Sequence, residues 1–247
     1  MKRNQYVIFL SLVAALGGFL FGFDTAVISG AERDIQNIWG LSDWIHGLAV
    51  AIALYGTVLG ALLGGIPADK YGRRSSMMWI GAFYLVSAVG SALAPDVVTF
   101  MVFRFIGGVG VGASSVVAPM YISEIAPAKS RGLLVALFQF NLVFGILIAY
   151  FSNYLIDLTN SPVAWRWMLG VEAIPALIYT LLVFRVPESP RWLIANRDDF
   201  KNARLILEKT DPEGVDEAIH LALEEKKSLQ LKVGFSALFN SKYIHIT

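Results

Sequence analysis

The acidic and basic residues of this chain leave long gaps, and the gaps decide what it can fold into. No Asp, Glu, Lys or Arg occurs from Asn4 to Phe23, from Trp44 to Ala68, from Ser75 to Pro95, or from Gly132 to Ile156. Each gap reaches the roughly 20 residues an α-helix needs to cross the hydrocarbon core of a bilayer. Two further apolar runs carry one charge each: Arg104 within Val97 to Ser123, and Glu172 within Trp167 to Phe184. Only 16% of the 247 residues are charged, against about 25% in a soluble domain. The reading is an all-α membrane protein with six transmembrane helices, at approximately 5–30, 44–67, 76–94, 98–123, 132–156 and 166–186.

The first run follows Lys2 and Arg3, as a signal peptide would. It continues to Phe23, lacks a small-x-small cleavage site and runs directly into Asp24, so it reads as a retained span. Lys and Arg set the orientation. Lys2, Arg3, Lys70, Arg73, Arg74, Lys129, Arg131 and Arg185 fall on one side, and Arg33 and Arg166 on the other. Both termini are expected in the cytoplasm, with the spans in the plasma (cell inner) membrane. The formal net charge of +1 gives no reason to expect a nucleic-acid partner.

Residues 1–186 therefore read as a six-span transmembrane domain and 187–234 as a cytoplasmic helical linker domain. Within the linker, Val215, Ile219, Ala222 and Leu223 form an apolar stripe at helical spacing. Residues 235–247 are apolar but too short to cross.

Small residues recur every fourth position at Ala14, Gly18 and Gly22, at Gly56, Gly60 and Gly64, and at Gly108 and Gly112. In lipid, where apolar side chains gain little by leaving the solvent, close backbone approach is how helices associate. Such glycines would also let spans rock or bend.

A charge inside the bilayer costs about 2.5–3.5 kcal/mol on insertion scales, so Asp24, Arg104 and Glu172 should face the bundle interior and find partners. Asp24 and Arg104 are the obvious pair. Arg104 stays protonated and would hold Asp24 ionised; parting the two would let Asp24 take up a proton. On residues alone, a proton-coupling pair and a static salt bridge both stand. Gln139 is an uncharged donor and acceptor in an apolar run, suited either to a sugar hydroxyl or to an interhelical hydrogen bond. Asn141 and Asn153 are weaker polar candidates, and Phe21 is among the aromatics that would line a cavity. The chain has no cysteine, and no nucleophile–base constellation or metal-ligand spacing appears. No enzyme activity, cofactor or metal is expected.

Several motifs converge on one family. They include Gly22-Phe-Asp-Thr-Ala-Val-Ile-Ser-Gly30, Gly65-Ile-Pro-Ala-Asp-Lys-Tyr-Gly-Arg-Arg74 and Arg104-Phe-Ile-Gly-Gly-Val-Gly-Val-Gly112. Pro119-Met-Tyr-Ile-Ser-Glu-Ile-Ala-Pro127 with Arg131, Gln139 followed by Gly145, and Pro187-Glu-Ser-Pro-Arg-Trp-Leu193 complete the set. Over essentially its whole length the chain resembles the sugar porters of the major facilitator superfamily, and most of all the bacterial proton-coupled xylose and arabinose symporters. The resemblance implies two inverted three-helix repeats, half of a major facilitator fold. It implies that Asp24, Arg104 and Glu172 couple a proton, and that Gln139, with Phe21 nearby, contacts a monosaccharide, pentose or hexose. It also implies that Asp69, Arg73, Arg74, Glu124, Arg131, Glu188 and Arg191 form a cytoplasmic charge network that latches the halves. The family has twelve spans, and Phe235 to Ile244 resembles the lead-in to a seventh. The chain is thus expected to be the amino-terminal half of a sugar:proton symporter, not transport-competent alone. The partners expected are a monosaccharide, a proton, the lipid bilayer, and either the missing carboxy-terminal half or a second copy. A half-size transporter acting as a homodimer and a non-transporting sugar sensor are the alternatives.

Overall fold

A computed structural model describes residues 3–230, so the expected lead-in at 235–247 lies outside the described residues. Eleven helices occur among them: α1 (Arg3–Trp39), α2 (Asp43–Leu63), α3 (Gly65–Tyr71), α4 (Arg73–Leu93), α5 (Val97–Ile125), α6 (Arg131–Asp157), α7 (Ala164–Gly170), α8 (Ala173–Val183), α9 (Pro190–Arg197), α10 (Phe200–Thr210) and α11 (Val215–Gln230). Six helical stretches are long and apolar enough to cross a membrane: α1, α2, α4, α5, α6, and α7 with α8 taken together.

Local chemistry sets the ends. Asp96 accepts the Thr99 backbone N–H at 2.9 Å and starts α5. Ser189 does the same for Trp192 at 3.2 Å, with Pro190 in the first turn of α9. Gly72 joins α3 to α4 at φ +99°, a conformation that side-chain-bearing residues rarely adopt.

Three boundaries differ from the spans read in the sequence. α1 runs past Gly30 through Glu32, Arg33 and Asp34 to Trp39, because Ala31 and Ile35 on its inner face stay buried. The second span stops at Leu63, and α3 carries the chain on to Tyr71. The sixth span is interrupted at Val171 and Glu172, between α7 and α8.

The close contacts explain the glycine spacing. A side chain at Gly18 or Gly22 of α1 would strike the Phe138 or Leu142 carbonyl of α6, and one at Gly145 of α6 would strike the Phe19 carbonyl of α1. Gly56 and Gly60 of α2 stand the same way against Phe105 and Val109 of α5, and Gly108 and Gly112 of α5 against Ala53 and Thr57 of α2. Span one thus packs on span five, and span four on span two. This is one contact repeated with the two three-helix repeats exchanged.

The core falls into two apolar clusters. One, containing Leu20, Tyr84, Val111 and Ala176, lies toward α9. The other, containing Val27, Phe100, Trp165 and Leu169, lies at the far end of the bundle. The connecting residues of α1, α5 and the α7–α8 junction are polar, and they form the site. Outside the bundle, α9 to α11 share a small seam of Ile194, Ala203 and Ala222, flanked by Ile219 and Leu223.

Candidate functional site

Asp24 lies on α1 between Leu20 and Val27, Arg104 on α5 between Phe100 and Val111, and Glu172 at the break in span six. Each is no more than 2% exposed. Arg104 Nη1 stands 2.5 Å from Asp24 Oδ1, and Arg104 Nη2 donates to the Asp24 carbonyl at 3.1 Å. Glu172 lies within electrostatic reach of both. Glu172 Oε1 and Arg104 Nε make no hydrogen bond among the described residues. One guanidinium therefore shares a buried interior with two carboxyls. With both carboxyls ionised the cluster carries one unbalanced negative charge, and a single proton makes it neutral. Burying unbalanced charge is expensive.

Hydroxyls surround the cluster. Tyr84 lies near Asp24, Glu172, Tyr179 and Ser114. Ser87 and Ser91 are buried on the same helix, and Ser87 and Asp24 both lie close to Gly107. Their residue types attract no notice in the sequence, but the spacing 84, 87, 91 puts all three on one helix face.

The second assembly lies at the α9 end and centres on Arg73. Its guanidinium bonds Glu124 at 3.0 to 3.2 Å, Asp69 at 3.1 Å and the Ala68 carbonyl at 3.0 Å. Glu188 Oε1 accepts three backbone N–H groups: Arg73 at 2.9 Å, Arg74 at 3.1 Å and Ser189 at 2.8 Å. It caps α4 from a distant segment, where the helix dipole favours an anion. A side chain at Gly72 would collide with that carboxylate. Arg74 Nη2 donates to the Phe184 carbonyl at 2.8 Å. Arg131 and Arg191 are exposed and share a cleft with Glu124.

Sequence reasoning missed the neutral members of this assembly. Trp192 Nε1 and Asn196 Nδ2 donate to the Asp69 carbonyl at 2.7 and 3.0 Å, and Tyr121 OH donates to the Pro187 carbonyl at 3.0 Å. Backbone acceptors leave no trace in residue identity.

Gln139 is exposed on α6, and Phe21 is half-buried on the neighbouring α1. Asn141 is buried instead and donates to the Leu137 carbonyl, while Asn153 donates to the Val27 carbonyl at 3.0 Å. The two asparagines satisfy backbone groups inside the bundle and leave Gln139 to face outward.

Two inverted three-helix repeats around a buried Asp24–Arg104 pair define half of a major facilitator carrier fold. The chain belongs to the sugar (and other) transporter family, whose model matches residues 10–244. The family and the relatives below are transporters, not enzymes. A "Glucose transport protein" of Synechocystis is 42% identical over 248 residues, which cover 96% of this chain and 53% of that protein. The "D-xylose-proton symporter" of Escherichia coli K12 is 38% identical over 238 residues, covering 84% of this chain and 48% of the symporter. The solved structure of the proton:xylose symporter XylE bound to 6-bromo-6-deoxy-D-glucose superposes with a TM-score of 0.86 at 36% identity, covering 96% of this chain and 58% of that one. The chain spans about half the length of these relatives.

Proposed function

We propose that these six helices act as one half of a monosaccharide:proton symporter that works by alternating access, with both termini cytoplasmic. The observation that carries the reading is the buried cluster in which Arg104 pairs with Asp24 while a second carboxyl, Glu172, lies within electrostatic reach of both. Arg104 binds ionised Asp24. A proton arriving on Asp24 weakens that contact and leaves Glu172 as the anion for the same guanidinium. The proton thereby changes which helices Arg104 ties together: α5 to α1, or α5 to the junction of α7 and α8. That exchange is the coupling step.

The second half of the cavity comes from another six-helix bundle seated on the faces of α2 and α6. Gln139 on that face offers an amide to sugar hydroxyls as donor and acceptor, and Phe21 contributes an apolar wall. The Arg73-centred network, with Asp69, Arg74, Glu124, Arg131, Glu188 and Arg191, acts as a latch at the α9 end.

Labelled xylose and glucose uptake into proteoliposomes under an imposed pH gradient tests the reading. Uptake is expected when the chain is paired with a second six-helix bundle, and none with the chain alone. Asp24→Asn should abolish gradient-driven accumulation and spare exchange. Accumulation that survives Asp24→Asn would overturn the coupling role. Gradient-driven uptake by the chain alone would replace the two-half assembly with a dimer of this chain.

A further inference from the structure

At the end of the bundle away from α9, a groove of about 870 Å³ opens between α4, the end of α6, and α7 with α8. Its walls are apolar. Leu93, Trp167 and Ile174 are more than 60% exposed, so the groove faces sideways, toward whatever surrounds the helices. One cation stands in it. Arg166 Nη1 donates to the Ala92 carbonyl at 2.7 Å, and its guanidinium lies 4.3 Å from the centre of the Trp165 ring. These contacts fix the fork in place. No carboxylate among the described residues forms an ion pair with it, and the Ser161 side chain lines the same groove.

The depth is set by α4. Its 21 residues run from Arg73 to Leu93, about 30 Å at 1.5 Å per residue, which equals the thickness of the hydrocarbon core. Arg73 marks one border of that core. Ala92, and so Arg166, marks the other, where the hydrocarbon core gives way to the headgroup region. Trp165 and Trp167 stand at the same level, as aromatics do at a membrane interface.

We propose that this groove is a binding site for one anionic glycerophospholipid, with its phosphate on Arg166 and an acyl chain along Leu93, Trp167 and Ile174. A planar guanidinium recognises phosphate through paired hydrogen bonds, and a net negative headgroup supplies the counter-charge that the groove lacks. A sugar in the same groove would leave its hydroxyls unpaired against apolar walls. The site depends only on the helices crossing a bilayer and is independent of the symport reading.

Native mass spectrometry of the purified chain in detergent, titrated with phosphatidylglycerol or with phosphatidylcholine of the same acyl chains, tests the proposal. One retained phosphatidylglycerol is expected, held at least fivefold better than phosphatidylcholine. Arg166→Gln should remove that preference. Leu93→Asp, which places an anion on an exposed wall and touches no core packing, should weaken phosphatidylglycerol at least fivefold. Arg33→Gln should change nothing. Equal retention of the two lipids would overturn the proposal, as would phosphatidylglycerol binding unchanged in both groove variants. So would a dimer of the chain that retains no lipid.

Discussion

Arg104 and Asp24 lie 80 residues apart in the chain and 2.5 Å apart in the bundle, with their side chains no more than 3% exposed. Glu172 lies within electrostatic reach of the same guanidinium. The pair joins α1 to α5, and Glu172 sits where span six is interrupted. Three side chains therefore tie α1, α5 and the break in span six to one another.

Removing the cation should cost the most. Arg104→Ala leaves two buried carboxyls without a counter-charge, and a loss of about 3–5 kcal/mol in unfolding free energy is expected. Asp24→Asn added to Arg104→Ala should restore part of that loss. Glu172→Gln keeps the shape and removes the surplus charge, so it should cost no more than about 1 kcal/mol. Reversible unfolding in mixed micelles measures the parent, these three variants and Asp24→Asn alone, which completes the cycle. Strict additivity of the Arg104 and Asp24 changes would show that the two do not interact.

Glu188 should behave as a clamp. Glu188→Ala strands three backbone N–H groups, and a group buried without a partner costs about 1–3 kcal/mol. Limited proteolysis is expected to cut between α8 and α9 faster in that variant. Cleavage rates equal to the parent's would remove Glu188 from the attachment of α9 to α4.

The glycines divide into two kinds. Gly22→Val or Gly145→Val drives a side chain into a facing carbonyl, and the thermal midpoint should fall steeply in both. A Cβ at Gly132, in the first turn of α6, meets nothing within 4 Å. Gly132→Ala should therefore leave stability unchanged or raise it by up to about 1 kcal/mol. A midpoint that falls equally in all three would place the glycine effect outside the helix contacts.

Gln139→Ala should separate binding from folding. An exposed substitution changes stability by about 0.5 kcal/mol or less, while a lost hydrogen bond to a sugar weakens affinity by about 1 kcal/mol. Calorimetric binding to the assembled carrier and thermal unfolding of the chain read the two effects separately. Affinity equal to the parent's would return Gln139 to a packing role.

Asp96 should give a pH signature at the start of α5. The backbone N–H and hydroxyl of Thr99 hold its carboxyl below the usual carboxylate range. A folded-state value depressed below the unfolded one adds stability above the unfolded value, and that support is lost as pH falls through the folded one. Acid unfolding of Asp96→Asn should therefore show a shallower dependence on pH than the parent at the low end. An unchanged slope would mean that Asp96 does not contribute.

Much of this was legible in the residues. Charge gaps marked the six spans, because an uncompensated charge in hydrocarbon is expensive wherever it falls. Asp24 and Arg104 could be paired from sequence for the same reason: each needed a partner, and few were on offer. The network around Arg73 followed from motif resemblance, but its inner construction did not. Glu188 binds backbone N–H groups and Trp192 binds a backbone carbonyl, and every residue carries such groups. The extension of α1 to Trp39 was hidden because Glu32, Arg33 and Asp34 look like a loop until Ala31 and Ile35 are seen to be buried. Helical phase decided the fate of the polar residues on α6. Gln139 and Asn141 are two positions apart and point to different sides, and only packing tells which side is inside.

The glycine contacts have a mechanical consequence. With backbone touching backbone from α1 to α6 and from α2 to α5, these pairs have no layer of flexible side chains to shear. Sliding one helix past its mate would drive Cα atoms into carbonyl oxygens. Within this bundle, relative motion of these pairs is then disfavoured, and the interrupted sixth span, where Glu172 sits at the joint, is left as the break in an otherwise continuous block. The residues that first suggested suppleness make this half behave as a single stiff lever.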